Sequence, residues 1–544
     1  MEINILLAQL NFLVGDIEGN CDKILQCLQD ARDKHNANCV VFTELALTGY
    51  PPEDLLFREK INARIKLAVE RLIKTSQGIM IVVGAPWGND GELHNAALVI
   101  QDGRLLAAYF KMKLPNYNVF DEKRYFSSGK EPCVVDLLGV KLGITVCEDV
   151  WEQEPIYLSK RAGADVIINI NASPFHAGKQ RQREEVVCAR VKENALPVLY
   201  VNQVGGQDEL VFDGASFVIR NDGEKITQAK FCKEDYLLIG IDNKTKSLES
   251  LLPVEQNHVE DIACVYQVLK YGLKEYIDKN KFNGGLVGLS GGIDSALVLT
   301  LAVDALGADK VHAVMMPSKY TSDMSLQDAE QLARNLNVKY SVIEIDTLVS
   351  AFENSLSSLF AGKEKDTTEE NIQARIRGVL LMAISNKFGN MVISTGNKSE
   401  MAVGYATLYG DMAGGFATLK DVPKMLVYEL SRYRNKVSHI IPERIIERPP
   451  SAELAPDQID EDSLPSYEVL DKILELFIEQ DVSREEIIAL GYDKDEVSKV
   501  IKMIFQNEYK RRQAPPGIKI TQRAFGKDRR YPITSGVIKY LEKL

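Results

Sequence analysis

Short apolar runs alternate with longer amphipathic segments throughout the chain, and their arrangement changes near the middle. In the first half many apolar runs are brief, and the turn residues Asp102-Gly103 and Gly139 each join two of them as in a hairpin. The predicted strands there are 3–9, 39–42, 79–83, 96–100, 105–110, 134–138, 141–146, 166–170, 198–201 and 215–219. Helical periodicity marks 20–35, 61–75 and 181–194. This pattern predicts sheets with helices on their outer faces.

Strand and helix alternate one by one in the second half. The predicted strands are 285–289, 311–315, 341–345 and 391–394, and the predicted helices are 295–305, 326–336 and 371–388. Such alternation is typical of a doubly wound parallel sheet. Between the two patterns lies a polar stretch that contains Pro253. The pattern therefore predicts a domain over 1–245, a linker over 246–260 and a second domain over 261–544.

Composition and charge exclude several classes of protein. The chain has 544 residues, of which 45% are hydrophobic and 26% charged, so a disordered or coiled-coil protein is excluded. A net charge of −12 argues against non-specific binding to nucleic acid or anionic membrane. The sequence has no signal-like segment and no apolar run near the ~18 residues of a membrane span. Its eight cysteines form no CxxC pair, which favours a reducing, cytoplasmic setting over disulfides or a zinc site.

A turn rich in glycine and serine joins the predicted strand 285–289 to the helix that follows. Its residues are Gly288, Leu289, Ser290, Gly291, Gly292, Ile293, Asp294 and Ser295. Glycines let the backbone approach a ligand closely, and the start of a helix offers free N–H groups to a phosphate. Asp294 is an oxygen ligand suited to Mg²⁺. The turn has neither the Walker ending nor a dinucleotide fingerprint. The competing interpretation is a plain strand-to-helix turn with a helix cap.

This turn resembles the pyrophosphate loop of the ATP pyrophosphatases, which adenylate a substrate oxygen and release pyrophosphate. Two later motifs, Ser-Thr-Gly-Asn-Lys-Ser-Glu at 394–400 and Tyr-Gly-Asp at 409–411, are similar to those of NAD synthetase domains. The resemblance extends from about residue 261 to the end of the chain. It implies that ATP and deamido-NAD are substrates and that Mg²⁺ is required.

The same resemblance implies a role for individual residues. Thr395 and Lys424 should join the loop in binding ATP, and Asp294 and Glu400 should hold Mg²⁺. The residues expected to contact deamido-NAD are Asn371, Arg375, Glu400 and Lys510. A helix cap with a solvated helix face would also explain 371–375, and a plain run of charge would explain 510–512. The chain departs from ammonia-dependent relatives at Leu408, where a lysine is common.

Three reactive side chains follow three different predicted strands in the first half. Glu44 comes after 39–42, Lys111 after 105–110 and Cys147 after 141–146. A carboxylate can deprotonate a cysteine thiol, and an ammonium can stabilise the oxyanion that forms when the thiolate attacks an amide. Taken singly, the cysteine would be interpreted as a core residue and the lysine as a solvated one. Lys113 competes with Lys111 for the lysine role.

Together these residues resemble the Glu-Lys-Cys triad of the carbon–nitrogen hydrolase (nitrilase) superfamily, which implies an α-β-β-α sandwich over about residues 1–245. Lys111 stands three residues before Leu114, as the lysine of that family does, and is therefore preferred to Lys113. The segments 114–122 and 147–151 are similar to the glutaminase domains of glutamine-dependent NAD synthetases. That likeness implies that Tyr117, Ser173 and Lys179 bind glutamine.

The two resemblances together imply a ligase of NAD biosynthesis. An amidase would release ammonia from glutamine, and the second domain would use it to convert adenylated deamido-NAD into NAD, AMP and pyrophosphate. Members of the family assemble as homo-oligomers, so the same is expected here, with small molecules as the other partners. Two alternatives stay open: an enzyme of the same chemistry with another carboxylic acid substrate, and a nucleotide-binding module without catalysis.

Overall fold

The computed structural model describes residues 2–88, 91–253, 261–451, 453–455, 460 and 464–543. The chain divides into two compact units, residues 1–259 and 260–544. Part of the predicted linker, 254–260, lies outside the described residues. Within the described ranges, every helix is too short or too polar to cross a membrane.

The first unit contains fifteen strands and four α-helices within its described residues. The strands are β1 (Glu2–Gln9), β2 (Cys39–Val41), β3 (Met80–Trp87), β4 (His94–Gln101), β5 (Arg104–Phe110), β6 (Cys133–Leu137), β7 (Val140–Val146), β8 (Val166–Asn171), β9 (Val198–Asn202), β10 (Val204–Gln207), β11 (Leu210–Asp213), β12 (Phe217–Ile219), β13 (Lys225–Gln228), β14 (Asp235–Asp242) and β15 (Leu248–Ser250). The helices are α1 (Ile17–His35), α2 (Glu59–Thr75), α3 (Gln153–Arg161) and α4 (Lys179–Asn194).

Two sheets pack face to face to form the core of this unit. One has the order β15-β14-β1-β2-β3-β4-β5, and the other has the order β13-β12-β9-β8-β7-β6. Alternate residues such as Ile5 and Ile144 point into the shared core between the sheets. The opposite faces pack against helices, as Leu6 does with Ile24 of α1 and Ile167 does with Val187 of α4. The predicted α-β-β-α sandwich is confirmed.

Element ends differ from the prediction where a polar residue begins a helix. The apolar period of α1 starts near residue 20, but the helix begins at Ile17, because the Asp16 side chain accepts a hydrogen bond from the Gly19 N–H and caps it. The patterns did not predict β10, β11, β13, β14 or β15. β15 lies inside the predicted linker, where it pairs with β14 as the edge strand of the first sheet.

The second unit contains five strands and twelve α-helices within its described residues. The strands are β16 (Gly285–Gly288), β17 (Val311–Met315), β18 (Lys339–Val342), β19 (Met391–Ser394) and β20 (Phe416–Ala417). The helices are α5 (Asp261–Lys279), α6 (Ile293–Leu306), α7 (Asp323–Asn335), α8 (Asp346–Leu356), α9 (Thr367–Phe388), α10 (Lys398–Val403), α11 (Lys424–Val437), α12 (Glu443–Glu447), α13 (Tyr467–Leu474), α14 (Arg484–Ala489), α15 (Lys494–Gln506) and α16 (Glu508–Arg511).

All five strands of the second unit run parallel, in the order β18-β17-β16-β19-β20. The chain moves outward from β16 to β18 and then returns to the other side of β16 with β19, as predicted for a doubly wound sheet. The change of direction opens a crevice at the carboxyl ends of β16 and β19, where ligands bind in folds of this class. A separate apolar cluster, with Leu470 and Ile501 at its centre, packs α10 against α13–α15.

Candidate active sites

A buried ammonium lies between two carboxylates in the first unit. Lys111, just after β5, donates from Nζ to Glu44 Oε1 at 2.7 Å and to Glu122 Oε1 at 2.8 Å. Glu44 follows β2; Asn95 Nδ2 donates to the same Oε1 as Lys111, and the backbone N–H of Ala172 donates to the other oxygen, Oε2. Burial raises the pKa of Glu122 to about 7, although Lys111 opposes the shift. The carboxylates outweigh the effect of burial on Lys111 and raise its pKa, so the ammonium stays charged.

Cys147 begins a single helical turn at the carboxyl end of β7. Its backbone φ is +46°, in the left-handed region that non-glycine residues seldom adopt. Burial and then the Glu44 charge raise the pKa of the Cys147 thiol well above its usual value, while Lys111 opposes them. The resting thiol is therefore protonated and needs a base before it can attack.

A buried aspartate ties the lysine segment to the cysteine turn. Asp149 Oδ1 accepts the backbone N–H groups of Met112 and Lys113, and its Oδ2 accepts those of Val146 and the Tyr109 hydroxyl, all within 3.1 Å. The side chain of Lys113 points elsewhere and forms an exposed ion pair with Glu154. The structure thus brings Lys111, and not Lys113, to Glu44.

The three predicted glutamine contacts differ in their surroundings. Tyr117 is half exposed and donates its hydroxyl to Glu148, the neighbour of Cys147, at 2.6 Å. Ser173 is buried beyond the end of β8. Lys179 begins α4, and its Nζ lies 4.0 Å from the centre of the Trp151 ring. Burial, reinforced by the charge of Arg183, lowers the pKa of Lys179 to about 8.

The glycine- and serine-rich turn of the second unit lies at the carboxyl end of β16, where it borders a cavity of about 610 Å³. The Ser290 and Ser295 hydroxyls lie 3.0 Å apart. Gly291 has a φ of +81°, and a Cβ atom there would lie 2.5 Å from the carbonyl oxygen of Ser325. Glycine is therefore required at this position for both conformation and space.

One ammonium neutralises two carboxylates on the cavity wall. Lys424 Nζ donates to Asp294 Oδ2 at 2.5 Å and to Glu400 Oε1 at 3.2 Å, and Asn397 donates to the other oxygen of Asp294. Burial raises the pKa of Glu400 to about 8 against the attraction of Lys424. No group of three or more His, Cys, Asp or Glu side chains among the described residues is arranged to hold a metal.

The cavity brings together most, but not all, of the residues predicted for the second site. Those that line it are Gly288, Leu289, Ser290, Gly292, Ile293, Asp294, Ser295, Asn371, Thr395, Glu400, Lys424 and Lys510. Lys510 donates to the carbonyl oxygens of Gly404 and Ala406. Arg375 does not reach the cavity: it is exposed and donates to the Leu408 carbonyl.

Sequence reasoning missed several charged residues at both sites. Glu122 begins a short 3-10 helix between β5 and β6, and the only sequence signal for it was its place in the segment 114–122, which resembles glutaminase domains. In the second unit Arg377, Arg448 and Asp460 also line the cavity. Arg448 donates to the Gly291 carbonyl at 2.8 Å and so stabilises the glycine- and serine-rich turn. The residues 448–460 carry no motif that the sequence analysis recognised.

Two family models match the chain, one on each unit. A carbon–nitrogen hydrolase model matches residues 5–249, and an NAD synthase model matches residues 265–514. Among curated relatives, the glutamine-dependent NAD(+) synthetase of Acinetobacter baylyi is 47% identical over 98% of both chains. That of Aquifex aeolicus is 45% identical over 99% of this chain and 100% of its own.

Solved structures give the same likeness. The glutamine-dependent NAD+ synthetase of Acinetobacter baumannii in complex with ADP is 44% identical, with a TM-score of 0.81 over 98% of this chain and 99% of that one. A glutamine-dependent NAD(+) synthetase from Cytophaga hutchinsonii has a TM-score of 0.86 with full coverage of both chains. At 21% identity, this second likeness concerns the fold alone.

Proposed function

Since the chain belongs to the family of glutamine-dependent NAD(+) synthetases, we propose that it hydrolyses glutamine in its first unit and amidates deamido-NAD in its second, at the expense of ATP. The observation that carries this proposal is the buried contact between Lys111 and Glu44 next to Cys147. Base, cation and thiol are the three groups that covalent hydrolysis of an amide needs.

At the first site Glu44 takes the thiol proton of Cys147, and the sulfur attacks the side-chain amide carbon of glutamine. The Lys111 ammonium stabilises the oxyanion of the tetrahedral intermediate. The proton held by Glu44 passes to the departing nitrogen, so that NH₃ leaves and a γ-glutamyl thioester remains. Water then hydrolyses the thioester with Glu44 as base, which restores the thiol. Tyr117, Ser173 and Lys179 hold the amino-acid end of glutamine.

At the second site the carboxylate of deamido-NAD attacks the α-phosphorus of ATP, which forms an acyl-adenylate and releases pyrophosphate. NH₃ then attacks the acyl carbon and displaces AMP, which gives NAD. The turn 288–295, Thr395 and Lys424 bind ATP in this proposal. Asn371, Glu400 and Lys510, which line the cavity, bind deamido-NAD in this proposal, and Arg375, which does not reach the cavity, has no part in it. The position of the turn at the carboxyl end of β16 supports the proposal, because its N–H groups and the start of α6 favour phosphate.

Asp294 and Glu400 fit a magnesium ion, because their carboxylate oxygens are hard ligands that share one cavity wall. We propose that they hold Mg²⁺ when ATP binds. The bound ion would offset the charge of the phosphates. Mg²⁺ commonly keeps several water ligands and binds through one or two carboxylates plus substrate phosphates, so two carboxylates suffice.

The proposal is tested by NAD formation from deamido-NAD, ATP and Mg²⁺ with either glutamine or ammonium as nitrogen source. We expect Cys147→Ala to lose glutamine-dependent synthesis by about 10³-fold or more, because it lacks the nucleophile, and to keep ammonium-dependent synthesis. Cys133→Ala, a half-buried cysteine on β6, is the matched control and should keep both. If wild type makes no NAD from either source, the proposed substrate is wrong.

A further inference from the structure

A buried arginine, Arg183, lies beneath the residues proposed to hold glutamine. Its side chain is fully buried on the second turn of α4. The guanidinium donates to Ser173 Oγ at 3.1 Å, to the Ser173 carbonyl at 2.7 Å, to the Pro174 carbonyl at 3.1 Å, to Asp213 Oδ2 at 2.8 Å and to Gln180 Oε1 at 3.2 Å. These five bonds match the number of N–H groups that an arginine offers.

This arrangement is costly for the fold, because two charges are removed from water. The side chains of Arg183 and Asp213 are both 0% exposed. Burial lowers the pKa of Arg183, but Asp213 more than compensates, so the guanidinium stays charged. An apolar pair of similar volume would often be as stable as a buried ion pair. The charged pair instead fixes an orientation, because a planar guanidinium whose N–H groups all donate hydrogen bonds can adopt only one position.

Arg183 connects two elements that carry separate parts of the glutamine site. Ser173 follows β8, and Lys179 lies one helical turn before Arg183 on α4. The backbone of Ser173 is held from its other side by Asn202, whose Oδ1 accepts its N–H at 2.9 Å. Ser173 therefore cannot shift relative to α4 without breaking bonds to Arg183.

We propose that Arg183 is a positioning residue for glutamine, which holds Ser173 and the first turn of α4, with Lys179, at the separation that fits the amino-acid end of the substrate. This inference rests on the proposed glutaminase function and deepens it. Arg183 acts through Ser173 and Lys179 and does not itself touch the reacting atoms.

The positive charge of Arg183 also acts on Lys179. Besides Arg183, the charged or titratable groups that act on Lys179 are Cys147, Glu148 and Asp213, and its Nζ lies over the Trp151 ring. After burial, Arg183 is the main cause that lowers the pKa of Lys179 to about 8. Lys179 thus loses its charge in mild alkali, and its hold on the glutamine carboxylate weakens as pH rises. Removal of the Arg183 charge raises the pKa of Lys179 and moves this loss to higher pH.

Three variants test the inference in steady-state glutamine hydrolysis as a function of pH. Arg183→Met should raise the KM for glutamine about tenfold or more, because charged hydrogen bonds to Ser173 are lost, with kcat changed far less. It should also move the alkaline fall of kcat/KM to higher pH. Arg183→Lys should raise the KM for glutamine but leave the alkaline fall of kcat/KM at the wild-type pH, because lysine keeps the positive charge and lacks the planar guanidinium. Arg181→Met, an exposed arginine on the same helix, is the control and should do neither.

Two outcomes would overturn the inference. One is a KM for glutamine in Arg183→Met equal to that of Arg181→Met. The other is a fall of kcat by the same factor as kcat/KM in both Arg183→Met and Arg183→Lys, while the pH profile stays where it is in wild type. Together with a lowered melting temperature, this result would show that Arg183 has a purely structural role. Wild type without any glutamine hydrolysis, or Cys147→Ala with full hydrolysis, would instead contradict the proposed function, and this inference with it.

Discussion

The Lys111 ammonium binds two carboxylates, those of Glu44 and Glu122. Glu122 was not predicted from the sequence, and it affects the charge and orientation of Lys111. Glu122 receives hydrogen bonds from Lys111 at 2.8 Å and from the Tyr50 hydroxyl at 2.9 Å. Burial raises its pKa to about 7, although Lys111 opposes the shift. In the proposed mechanism, the ionised form of Glu122 keeps the Lys111 ammonium charged and aligned while Glu44 takes and returns a proton.

We expect Glu122→Gln to slow glutamine hydrolysis by about 10- to 100-fold, because one charged hydrogen bond to Lys111 becomes a neutral one. Glutamate release at saturating glutamine measures the effect. Glu154→Gln removes the carboxylate that pairs with the exposed Lys113 and is the control, with an expected change below about twofold. Equal rates for the two variants would show that Glu122 has no part in the reaction.

Single residues show where sequence reasoning reached its limit. Because Glu44 and two lysines follow predicted strands, the sequence indicated that Glu44 and a lysine share one site. The resemblance to carbon–nitrogen hydrolases then favoured Lys111 over Lys113. The same reasoning favoured Arg375, which is exposed, whereas Arg377 lines the cavity and donates to the Met316 carbonyl. Two positions along a helix differ by about 200° of rotation, and the face of α9 that meets the cavity depends on packing that is remote in sequence.

At the scale of elements, short-range patterns predicted four of the five parallel strands of the second unit, because each strand and the following helix are adjacent in sequence, but they did not predict the two-residue strand β20. The first sheet was harder to predict. Its strand β14 pairs with β1, although the two strands lie near opposite ends of the sequence of the first unit. No local pattern reports such a pairing, and the polar residues around β15 imitate a linker. The apolar periods also could not locate helix starts, which capping side chains decide.

The turn after β16 offers a prediction at this scale. Gly291→Ala should lower ammonium-dependent NAD synthesis by about tenfold or more, because its Cβ would collide with the Ser325 carbonyl and displace the turn. Gly362→Ala is the control: Gly362 has nearly the same φ of +80° but open space around it. Both variants bear the left-handed strain of about 1–2 kcal/mol, and Gly291→Ala bears the collision in addition, so its melting temperature should fall further. Comparable synthesis rates in the two would contradict a close fit of the turn.

At the scale of the whole molecule, the residues proposed for each reaction lie within a single unit. The residues proposed to act on glutamine all lie within residues 1–259, and those that border the cavity of the second unit all lie within 260–544. The two half-reactions should therefore be separable by substitutions, even though one chain carries both.

We expect Lys424→Met to abolish NAD synthesis with either nitrogen source, because the ammonium proposed to bind ATP is lost and the partly buried Asp294 and Glu400 lose their partner. Glutamine hydrolysis, measured as glutamate release without nucleotide, should remain near the wild-type rate. Together with Cys147→Ala this gives reciprocal losses. A parallel loss of hydrolysis in Lys424→Met would mean that the first site depends on an intact second unit.

The pairing of β1 with β14 affects when the first unit can fold during synthesis on the ribosome. β1 is among the first segments synthesised, yet its partner in an eight-residue ladder is the stretch 235–242. At typical speeds of translation the nascent chain waits roughly 10–50 s before that partner is made. During this interval β1 has an unpaired, apolar edge, a form of chain that chaperones bind. Nascent chains that end before residue 235 should therefore be protease-sensitive, and protection of the first unit should arise in one step once β14 has emerged.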